Sequence, residues 1–439
     1  MSLVLINAWV LSMDAGLTQH RHGWVHVEGD RIAALGSGLP PEAESVIDMG
    51  GDIIMPGMVN PHCHLAMSLF RGLGEDVDDR LFRYILPLER KFVTPEMVRA
   101  GTALSALESI QGGVTTIADM YYFETVVAEV MDAAGLRGVL GQTLADFAAP
   151  DHASFDEGFA LCDQLANVLA DHPRLTASIA PHAPYSTGPA VLERAARWHD
   201  DHTGTRVQIH LAETGPEAQW AQCEHGVSTT SLAERSGILR PGTVAAHCLL
   251  MDDADIALFA QTGAGVAHNA RSNGKAGRGM ARVEDLRAAG VAVGIATDGP
   301  MSGNTLDLFS QFAPVSMFAK ILGQSRKPLP ASDVIRMATL EGAKVLGLES
   351  ATGSLEPGKQ ADLIRISLDA PRLHPIYDVF SMLVYAAMPS DVRDVMVAGR
   401  WLMRDRVVTT LEEPKVMADA LQVAGQFRAE MAAIDATRA

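Results

Sequence analysis

The chain contains 439 residues with a formal net charge of −18, and its 48% hydrophobic and 20% charged residues are typical of a folded globular protein. The negative charge argues against nucleic acid and anionic membranes as partners, because phosphate groups require a basic surface. No apolar run is long enough to span a membrane, no basic signal sequence is visible, and the four cysteines form no close pair, so we expect a cytoplasmic protein.

Both ends of the chain are predicted to form β structure. Near the N-terminus, LVLINAWVLSM and GWVHVEGDRIAALG have the character of short strands, with a turn at residues 28–30. Near the C-terminus, ADLIRISL and DVRDVMVAGRWLMRDRVV have the same character, with a turn around Ala398. Because neither piece could form a core alone, we expect residues 1–56 and 357–439 to build one small β-sandwich, with a terminal helix.

Residues 57–356 alternate strand-like runs with helical stretches. One helix is marked at both ends, since Thr94 and Pro95 supply its start and Gly112 its stop. Eight runs have the character of buried strands: IIMPGMVNPHCH, VTTIADM, GVLGQTLAD, LTASIAPHAP, RVQIHLAET, TVAAHCLLM, AGVAHNARS and AVGIATDG. Eight β/α units in about 300 residues predict an α/β fold, a (β/α)8 TIM-type barrel. A doubly wound open sheet is the alternative, but it more usually carries a glycine-rich phosphate loop after its first strand.

Side chains that can bind metal stand at the ends of three of these runs. His62 and His64 are separated by one residue, so on a strand both imidazoles project to the same face. His210 follows RVQI and Asp298 follows AVGIAT, and a barrel brings the carboxyl ends of its strands to one rim. Three imidazoles and one carboxylate suit Zn²⁺, with Fe²⁺ or another divalent ion as the alternative. The pattern therefore predicts a metal-dependent hydrolase.

The placement of lysine predicts how many ions each chain binds. Two-metal sites in barrels of this type usually bridge their ions with a carboxylated lysine on the fourth strand. This chain has no lysine between Lys91 and Lys275, a stretch that includes the second to seventh barrel strands, and the fourth strand ends in Pro181 and His182. We therefore expect one divalent ion per chain.

Further polar residues at the predicted rim are candidates for proton transfer and substrate binding. Glu213 follows His210 by three residues, so it can face the cavity and carry protons between water and a leaving group. His247 can hydrogen-bond the attacking water, and His182 can hold a ring nitrogen or an exocyclic oxygen of the substrate. For each of them the alternative is a structural hydrogen bond. We expect the HNARSN segment at residues 268–273 to anchor loops.

Longer motifs extend over nearly the whole chain in this order: PGMVNPHCHLAMSLFRG, ILPLE, IADMYYF, APHAPYS, HLAET, AAHC, HNARSN, TDGPMSGNTLDLF and GSLEPGKQADLI. They resemble the amidohydrolase superfamily, specifically its mononuclear amino-heterocycle deaminases. The likeness is strongest to 5-methylthioadenosine/S-adenosylhomocysteine deaminases, with s-triazine hydrolases as near relatives. The resemblance implies a barrel with a β-sandwich from both termini. It also implies metal ligands at His62, His64, His210 and Asp298. Catalytic or substrate contacts are implied at Glu213, His247 and His182.

Departures from that family bear on the substrate. Arg80 stands where these deaminases usually have a tryptophan, and Gln142 where an arginine suited to a substrate carboxylate is often found. Asp78 keeps an acid where the family can hold ribose hydroxyls. If the substrate carries a carboxylate, Arg80 and Arg271 are the candidates to bind it. The substrate-binding candidates are thus Asp78, Arg80, Gln142 and His182.

The sequence favours hydrolytic deamination of an amino-substituted N-heteroaromatic ring, of the purine, nucleoside or pterin type, with release of ammonia. In this hypothesis Glu213 protonates the ring nitrogen, His247 stabilises the tetrahedral oxygen, and Asp298 accepts a proton from water. The enzymatic alternatives are an s-triazine-type dechlorinase or N-dealkylating hydrolase and a cyclic amide (imidazolone) hydrolase. A non-catalytic scaffold is disfavoured because every expected ligand is present. The expected partner is a small heteroaromatic substrate, and homo-oligomerisation stays open.

Overall fold

The computed structural model describes residues 2–77, 79–147 and 149–436. Its strands belong to two sheets, one parallel and one mixed. The N-terminal strands are β1 (Ser2–Leu11), β2 (Gln19–Glu28), β3 (Arg31–Ser37), β4 (Ser45–Asp48) and β5 (Ile53–Pro56). The central strands are β6 (Met58–Cys63), β7 (Val114–Tyr121), β8 (Arg137–Leu144), β9 (Leu175–Pro181), β10 (Arg206–Leu211), β11 (Thr243–His247), β12 (Gly265–His268) and β13 (Val293–Ile295). The C-terminal strands are β14 (Leu363–Ile366), β15 (Val392–Val397), β16 (Arg400–Arg404) and β17 (Val407–Val408).

The central strands form a parallel barrel in chain order, from β6 to β13. The segment after β13 returns beside β6. There the backbone N–H of Asp298 donates to the carbonyl oxygen of His62 at 3.2 Å, and the N–H of Thr297 donates to Asn60 Oδ1 at 3.1 Å. Each of these strands overlaps one of the eight apolar runs in the sequence, but the first run also contains β5, which belongs to the mixed sheet and not to the barrel. The predicted (β/α)8 barrel is therefore confirmed.

Helices connect the strands and cover the barrel. The α-helices are α1 (Leu86–Phe92), α2 (Pro95–Gln111), α3 (Glu124–Ala134), α4 (Phe155–Leu169), α5 (Pro184–Asp201), α6 (Gly215–His225), α7 (Thr229–Arg235), α8 (Asp253–Thr262), α9 (Ala270–Lys275), α10 (Val283–Ala288), α11 (Pro300–Gly303), α12 (Phe309–Leu322), α13 (Ala331–Met337), α14 (Leu340–Val345), α15 (Val379–Tyr385) and α16 (Glu413–Ala436). Shorter helical turns are Leu65–Phe70, Leu81–Ile85, Pro371–Leu373 and Pro389–Asp391.

The bounds of α2 follow from its sequence. Thr94 Oγ1 accepts a hydrogen bond from the backbone N–H of Met97 at 3.2 Å, which satisfies one of the free donors of the first turn. Pro95 occupies the first helical position, where its missing N–H removes no helical hydrogen bond. The helix ends before Gly112, and Gly113 has a φ of +79°, a conformation that L-residues rarely adopt. The predicted start and stop are confirmed.

Small apolar residues of the barrel strands pack with α14. The buried side chains from the barrel are Val59, Ala118, Val139, Val244, Ala246, Ala267 and Ala296, and those from α14 are Ala343 and Val345. The helix contacts β6, β12 and β13, so it holds the first strand of the barrel against the last two. This packing fixes the strands whose carboxyl ends carry the candidate site.

The mixed sheet combines strands from both ends of the chain, in the order β17-β16-β15-β14-β5-β1-β2-β3, with β4 paired to β1. Its two halves meet where β5 pairs antiparallel with β14, and Ile54 lies opposite Arg365. Leu3, Val25 and Leu363 are buried together in its core. The prediction that both termini share one β structure is confirmed, while the domain boundaries at residues 56 and 357 stay predictions.

The remaining elements add to the apolar core around the barrel. The terminal helix α16 packs against α2, and Phe427 stacks on Phe70 with ring centroids 5.1 Å apart. Cys63, the residue between the two histidines of the first barrel strand, is a buried free thiol. None of the helices in the described ranges combines the length and the apolar character that crossing a membrane requires.

Candidate metal centre and active site

The four predicted metal ligands converge at the carboxyl ends of β6, β10 and β13. Nε2 of His210 lies 3.3 Å from Nε2 of His64. Oδ1 of Asp298 lies 3.4 Å from the same atom of His64 and 3.8 Å from Nε2 of His62. The ligand atoms of His62, His64 and His210 all lie within 4.8 Å of one another. The barrel thus brings together side chains that are more than 200 positions apart in the sequence.

The hydrogen bonds of these histidines fit a divalent cation. Nδ1 of His64 lies 2.5 Å from the carbonyl oxygen of Met120, and Nδ1 of His210 lies 2.8 Å from that of His182. A carbonyl oxygen can only accept, so each Nδ1 carries a proton, and each Nε2 is the nitrogen that is left to ligate a cation. Nε2 of His62 is buried and has no hydrogen-bond partner among the described residues. A cation held by the cluster would supply that partner.

Burial favours the neutral form of His62 and His210. At His64 the hydrogen bond to Asp298 and the negative charge of Asp298 outweigh burial and raise the pKa above its ordinary value. Desolvation, followed by the positive charge of neighbouring imidazoles, holds the pKa of His62 well below its ordinary value and lowers that of His210 to about 4. Burial alone would raise the pKa of Asp298, but a hydrogen bond from His64 and the charge of His247 outweigh it, and the pKa lies well below its ordinary value. His62, His210 and the ionised Asp298 thus have the forms that ligate metal, and His64 takes the same form when a cation replaces the proton on its Nε2.

Two hydrogen bonds hold the carboxylate of Asp298 in place. Its Oδ2 accepts a hydrogen bond from Ser272 Oγ at 2.6 Å, and its Oδ1 accepts one from the backbone N–H of Gly299 at 2.7 Å. The backbone of Asp298 has a φ of +59°, an unfavourable conformation for a residue with a side chain. These two side-chain hydrogen bonds, together with the hydrogen bond from the backbone N–H of Asp298 to the carbonyl oxygen of His62, hold the residue in that conformation with its carboxylate facing the histidines.

His247 and Glu213 lie on the other side of the cluster. Nε2 of His247 lies 3.7 Å from Oε1 of Glu213, and ligand atoms of His62, His247 and Asp298 are within 4.8 Å of one another. Nδ1 of His247 lies 2.9 Å from Oδ1 of Asn273. With the amide oxygen as acceptor, Nδ1 carries the proton and Nε2 faces Glu213 and the candidate metal ligands.

Glu213 is held by the loop that follows β10. The side chain of Glu217 accepts hydrogen bonds from the backbone N–H groups of Ala212 at 2.9 Å and Glu213 at 2.8 Å. Oε1 of Glu213 also contacts the guanidinium of Arg278. Burial would raise the pKa of Glu213, but the positive charge of His247 and Arg278 outweighs it, so the pKa lies below its ordinary value. The carboxyl is therefore ionised at neutral pH and ready to accept a proton.

His182 lies beside the cluster at the end of β9. Its ring centroid is 4.9 Å from that of His210, and its Nδ1 lies 2.8 Å from Ser186 Oγ. Phe147 and Tyr185 meet the ring of His182 edge to face, with centroid distances of 5.1 and 5.9 Å. Desolvation, followed by the charge of His210, holds the pKa of His182 well below its ordinary value. A neutral imidazole flanked by aromatic rings is suited to a flat heterocycle.

The sequence of this chain matches a known protein family. The Amidohydrolase family model matches residues 53–402, which include every barrel strand. The chain belongs to the amidohydrolase family. The resemblance recognised from motifs such as HLAET and TDGPMSGNTLDLF is therefore confirmed.

Relatives within the family are similar over their full lengths. The chain is 37% identical over 426 residues to a 5-methylthioadenosine/S-adenosylhomocysteine deaminase of Syntrophobacter fumaroxidans, covering 94% of this chain and 96% of that protein. It is 37% identical over 427 residues to a 5′-deoxyadenosine deaminase of Methanosarcina barkeri, with coverages of 97% and 98%. The solved structure of an adenosine deaminase from Xanthomonas campestris with bound zinc superposes with a TM-score of 0.94 at 31% identity, covering 97% of this chain and 98% of that one.

The other substrate-binding candidates have protein partners. Gln142 is buried in β8, and its amide donates to Asp151 Oδ2 at 3.0 Å. The guanidinium of Arg80 donates to the carbonyl oxygen of Met301 and lies 3.7 Å from Glu75 Oε2. Asp78 lies outside the described residues. Substrate binding by Asp78, Arg80 and Gln142 therefore stays a prediction.

Sequence reasoning underestimated several residues that contact the site. Ser272 and Asn273 lie in the short helix α9 and not in a loop, and their side chains bond Asp298 and His247. The signal was present, since both follow the end of a barrel strand within the HNARSN motif. Glu217 and Arg278 were missed altogether, because their contacts with the Glu213 loop depend on how that loop and the segment after α9 are folded.

Proposed function

We propose that this protein is a metal-dependent hydrolase that removes the exocyclic amino group from an N-heteroaromatic ring, with release of ammonia. The observation that carries the proposal is the convergence of His62, His64, His210 and Asp298 beside Glu213. The full-length relatives support an aminopurine ring, because their names specify adenosine-type substrates. An adenine ring within a nucleoside is therefore the proposed substrate class.

The proposed cofactor is one divalent cation per chain. His62, His64, His210 and Asp298 would hold it, and Zn²⁺ is the first candidate because the Xanthomonas campestris adenosine deaminase has zinc bound. Fe²⁺ is the alternative for the same donors. A cation of this kind, when bound, lowers the pKa of a coordinated water to about 7 and so supplies the nucleophile at neutral pH.

The residues around the cluster divide the proton transfers among them. Asp298 accepts a proton from the attacking water, since its carboxylate is ionised and fixed by Ser272. Glu213, which is ionised at rest, takes the other proton of the water and delivers it to the ring nitrogen beside the carbon under attack, so negative charge does not accumulate on the ring. The proton that Asp298 accepted then passes to the amino group, directly or through Glu213, and ammonia leaves while the ring carbon keeps the oxygen.

Two histidines complete the proposed site. His247 presents Nε2 toward Glu213, and hydrogen-bonds the oxygen that adds to the ring carbon. His182 holds a polar atom of the heterocycle, with Phe147 and Tyr185 bordering that position. Each group acts from a strand end or from a loop that is fixed by hydrogen bonds, which is what catalytic positioning requires.

Ammonia release by the zinc-loaded protein tests the proposal. Adenosines, guanines, pterins, cytosines and triazines would be compared, and we expect adenine nucleosides to give the highest kcat/KM. The His62→Ala variant is the matched control, because it keeps the barrel and lacks one proposed ligand. If the metal-replete protein releases ammonia from none of these compounds, the proposed function is wrong.

A further inference from the structure

The carboxyl oxygen that the proposed reaction uses for proton transfer is bound by an arginine side chain. The guanidinium of Arg278 contacts Oε1 of Glu213, and that same oxygen lies 3.7 Å from Nε2 of His247. A guanidinium bound to this oxygen occupies one of its acceptor sites and stabilises the ionised form of Glu213. Withdrawal of Arg278 would therefore free the oxygen for a ring nitrogen of the substrate and make Glu213 a better proton acceptor.

Arg278 reaches Glu213 from a different part of the barrel rim. It lies between α9 and α10, after β12, whereas Glu213 follows β10. The side chain of Arg278 is 42% exposed and that of Glu213 is 18% exposed, so the pair stands at the boundary between the site and solvent. Within the described residues the guanidinium has no other hydrogen-bond or ion-pair partner.

The backbone of Arg278 is fixed while its side chain has room to move. The N–H of Arg278 donates to the carbonyl oxygen of Asn273 at 3.0 Å. The neighbouring residues Gly277 and Gly279 have positive φ, and a Cβ built on either would meet no heavy atom within 4 Å. Because the side chain of Arg278 is partly exposed, its guanidinium can turn from Glu213 toward solvent while the backbone bond to Asn273 is kept.

Leaving Glu213 is unfavourable unless the guanidinium finds another anion. Hydrogen bonds between charged groups are about twice as strong as neutral ones, and they strengthen where water is partly excluded. A neutral substrate displaces Arg278 without replacing that interaction. A substrate with an oxyanion restores it, since a planar guanidinium binds carboxylate or phosphate with two parallel hydrogen bonds.

We propose that Arg278 is a specificity-determining residue: on substrate binding its guanidinium exchanges Glu213 for an oxyanion that the substrate carries beyond the reacting ring. The inference rests on the proposed function, because the exchange matters only if Glu213 transfers protons. It assigns to Arg278 a role for which the sequence offered Arg80 and Arg271. Arg80 is less suited, since it is bonded to Met301 and faces Glu75.

The test compares adenine compounds with and without an anionic group. Adenosine and 5′-methylthioadenosine have none, adenosine 5′-monophosphate carries a phosphate, and S-adenosylhomocysteine carries a carboxylate beside an ammonium group. Ammonia release would be measured for the parent, for Arg278→Gln and for the control Arg282→Gln. Arg282 lies in the same segment but pairs with Asp253 and Asp285, away from Glu213.

We expect Arg278→Gln to lower kcat/KM roughly tenfold to hundredfold for whichever anionic compound fits the site, mainly through KM. For the neutral compounds kcat/KM should stay constant or rise, and Arg282→Gln should change none of the four. A preference for the phosphate or the carboxylate identifies the oxyanion. Equal factors for neutral and anionic compounds, or no change for any, would overturn the proposal.

Binding measurements separate this inference from the proposed function. Inosine and inosine 5′-monophosphate undergo no deamination, so calorimetry can compare their affinities for the parent and for Arg278→Gln, together with the corresponding product of S-adenosylhomocysteine. Selective weakening of an anionic ligand supports the exchange even if adenine turnover fails. Turnover of neutral adenosines without any selective weakening supports the proposed function and refutes the role of Arg278.

Discussion

Replacing Glu213 by glutamine removes the proposed proton carrier while keeping its size. The amide can still accept a hydrogen bond from Arg278, and Glu217 still holds the backbone N–H groups of Ala212 and Glu213. Loss of a general acid–base group lowers turnover by roughly 10²–10⁴, which is about 2.7–5.5 kcal/mol of barrier. The smaller value is expected if His247, 3.7 Å away, can substitute in part. The larger value is expected if one carboxyl serves both transfers.

The assay combines turnover number, KM and metal content in parent and variant. We expect metal content to be unchanged, since the four proposed ligands are untouched, and KM to change far less than kcat, since the loss falls on the transition state. Glu224→Gln, the same substitution at an exposed position of α6, is the matched control. A metal-replete Glu213→Gln enzyme within threefold of the parent, with chemistry rate-limiting, would show that the proton path runs elsewhere.

Three further predictions follow from the site and its surroundings. His62→Ala should remove most of the bound metal, and the parent should hold one ion per chain by elemental analysis; full occupancy in the variant, or two tightly held ions in the parent, contradicts the proposed ligands. Asn273→Leu should lower turnover by about tenfold or more with metal retained, because His247 loses its fixed orientation; Asn273→Asp, which still accepts a hydrogen bond, should recover part of the loss. Burial raises the pKa of Glu89 to about 7, so its protonated form favours folding at low pH, and that contribution is lost as pH rises from about 4.5 through 7. Glu89→Gln should therefore raise the free energy of unfolding by about 3 kcal/mol at pH 8 and by almost nothing near pH 4.5, measured by denaturant titration at equal metal content; equal effects at both pH values would contradict the shift.

The barrel and the metal cluster could be predicted from the sequence because they depend on strand ends. Apolar runs fix where strands lie, and a parallel barrel places every carboxyl end on one rim. His62, His210 and Asp298 could therefore be assigned to one site without knowledge of any loop. That both termini share one β structure was also predictable, since two incomplete β segments need each other to form a core. The specific pairing of β5 with β14 was not, because residues 53–56 begin the apolar run that predicts the first barrel strand.

The contacts made by loop residues could not be predicted in the same way. Gln142 was considered for substrate binding, but its amide reaches Asp151, nine positions later in an irregular segment. Arg278 meets Glu213 only because residues 276–282 turn back across the rim. Such paths have no hydrophobic periodicity that a sequence pattern could reveal.

The pairing of β5 with β14 also constrains how the chain is made. Pro56 and Leu363 are neighbours in the sheet, yet about 300 residues of barrel are translated between them, which takes about 15–60 s at ribosomal rates. During that interval the edge of β5 that later receives β14 has no partner strand from its own sheet. An open edge is a site of unwanted strand pairing. The mixed sheet is therefore completed only after the whole barrel has been synthesised.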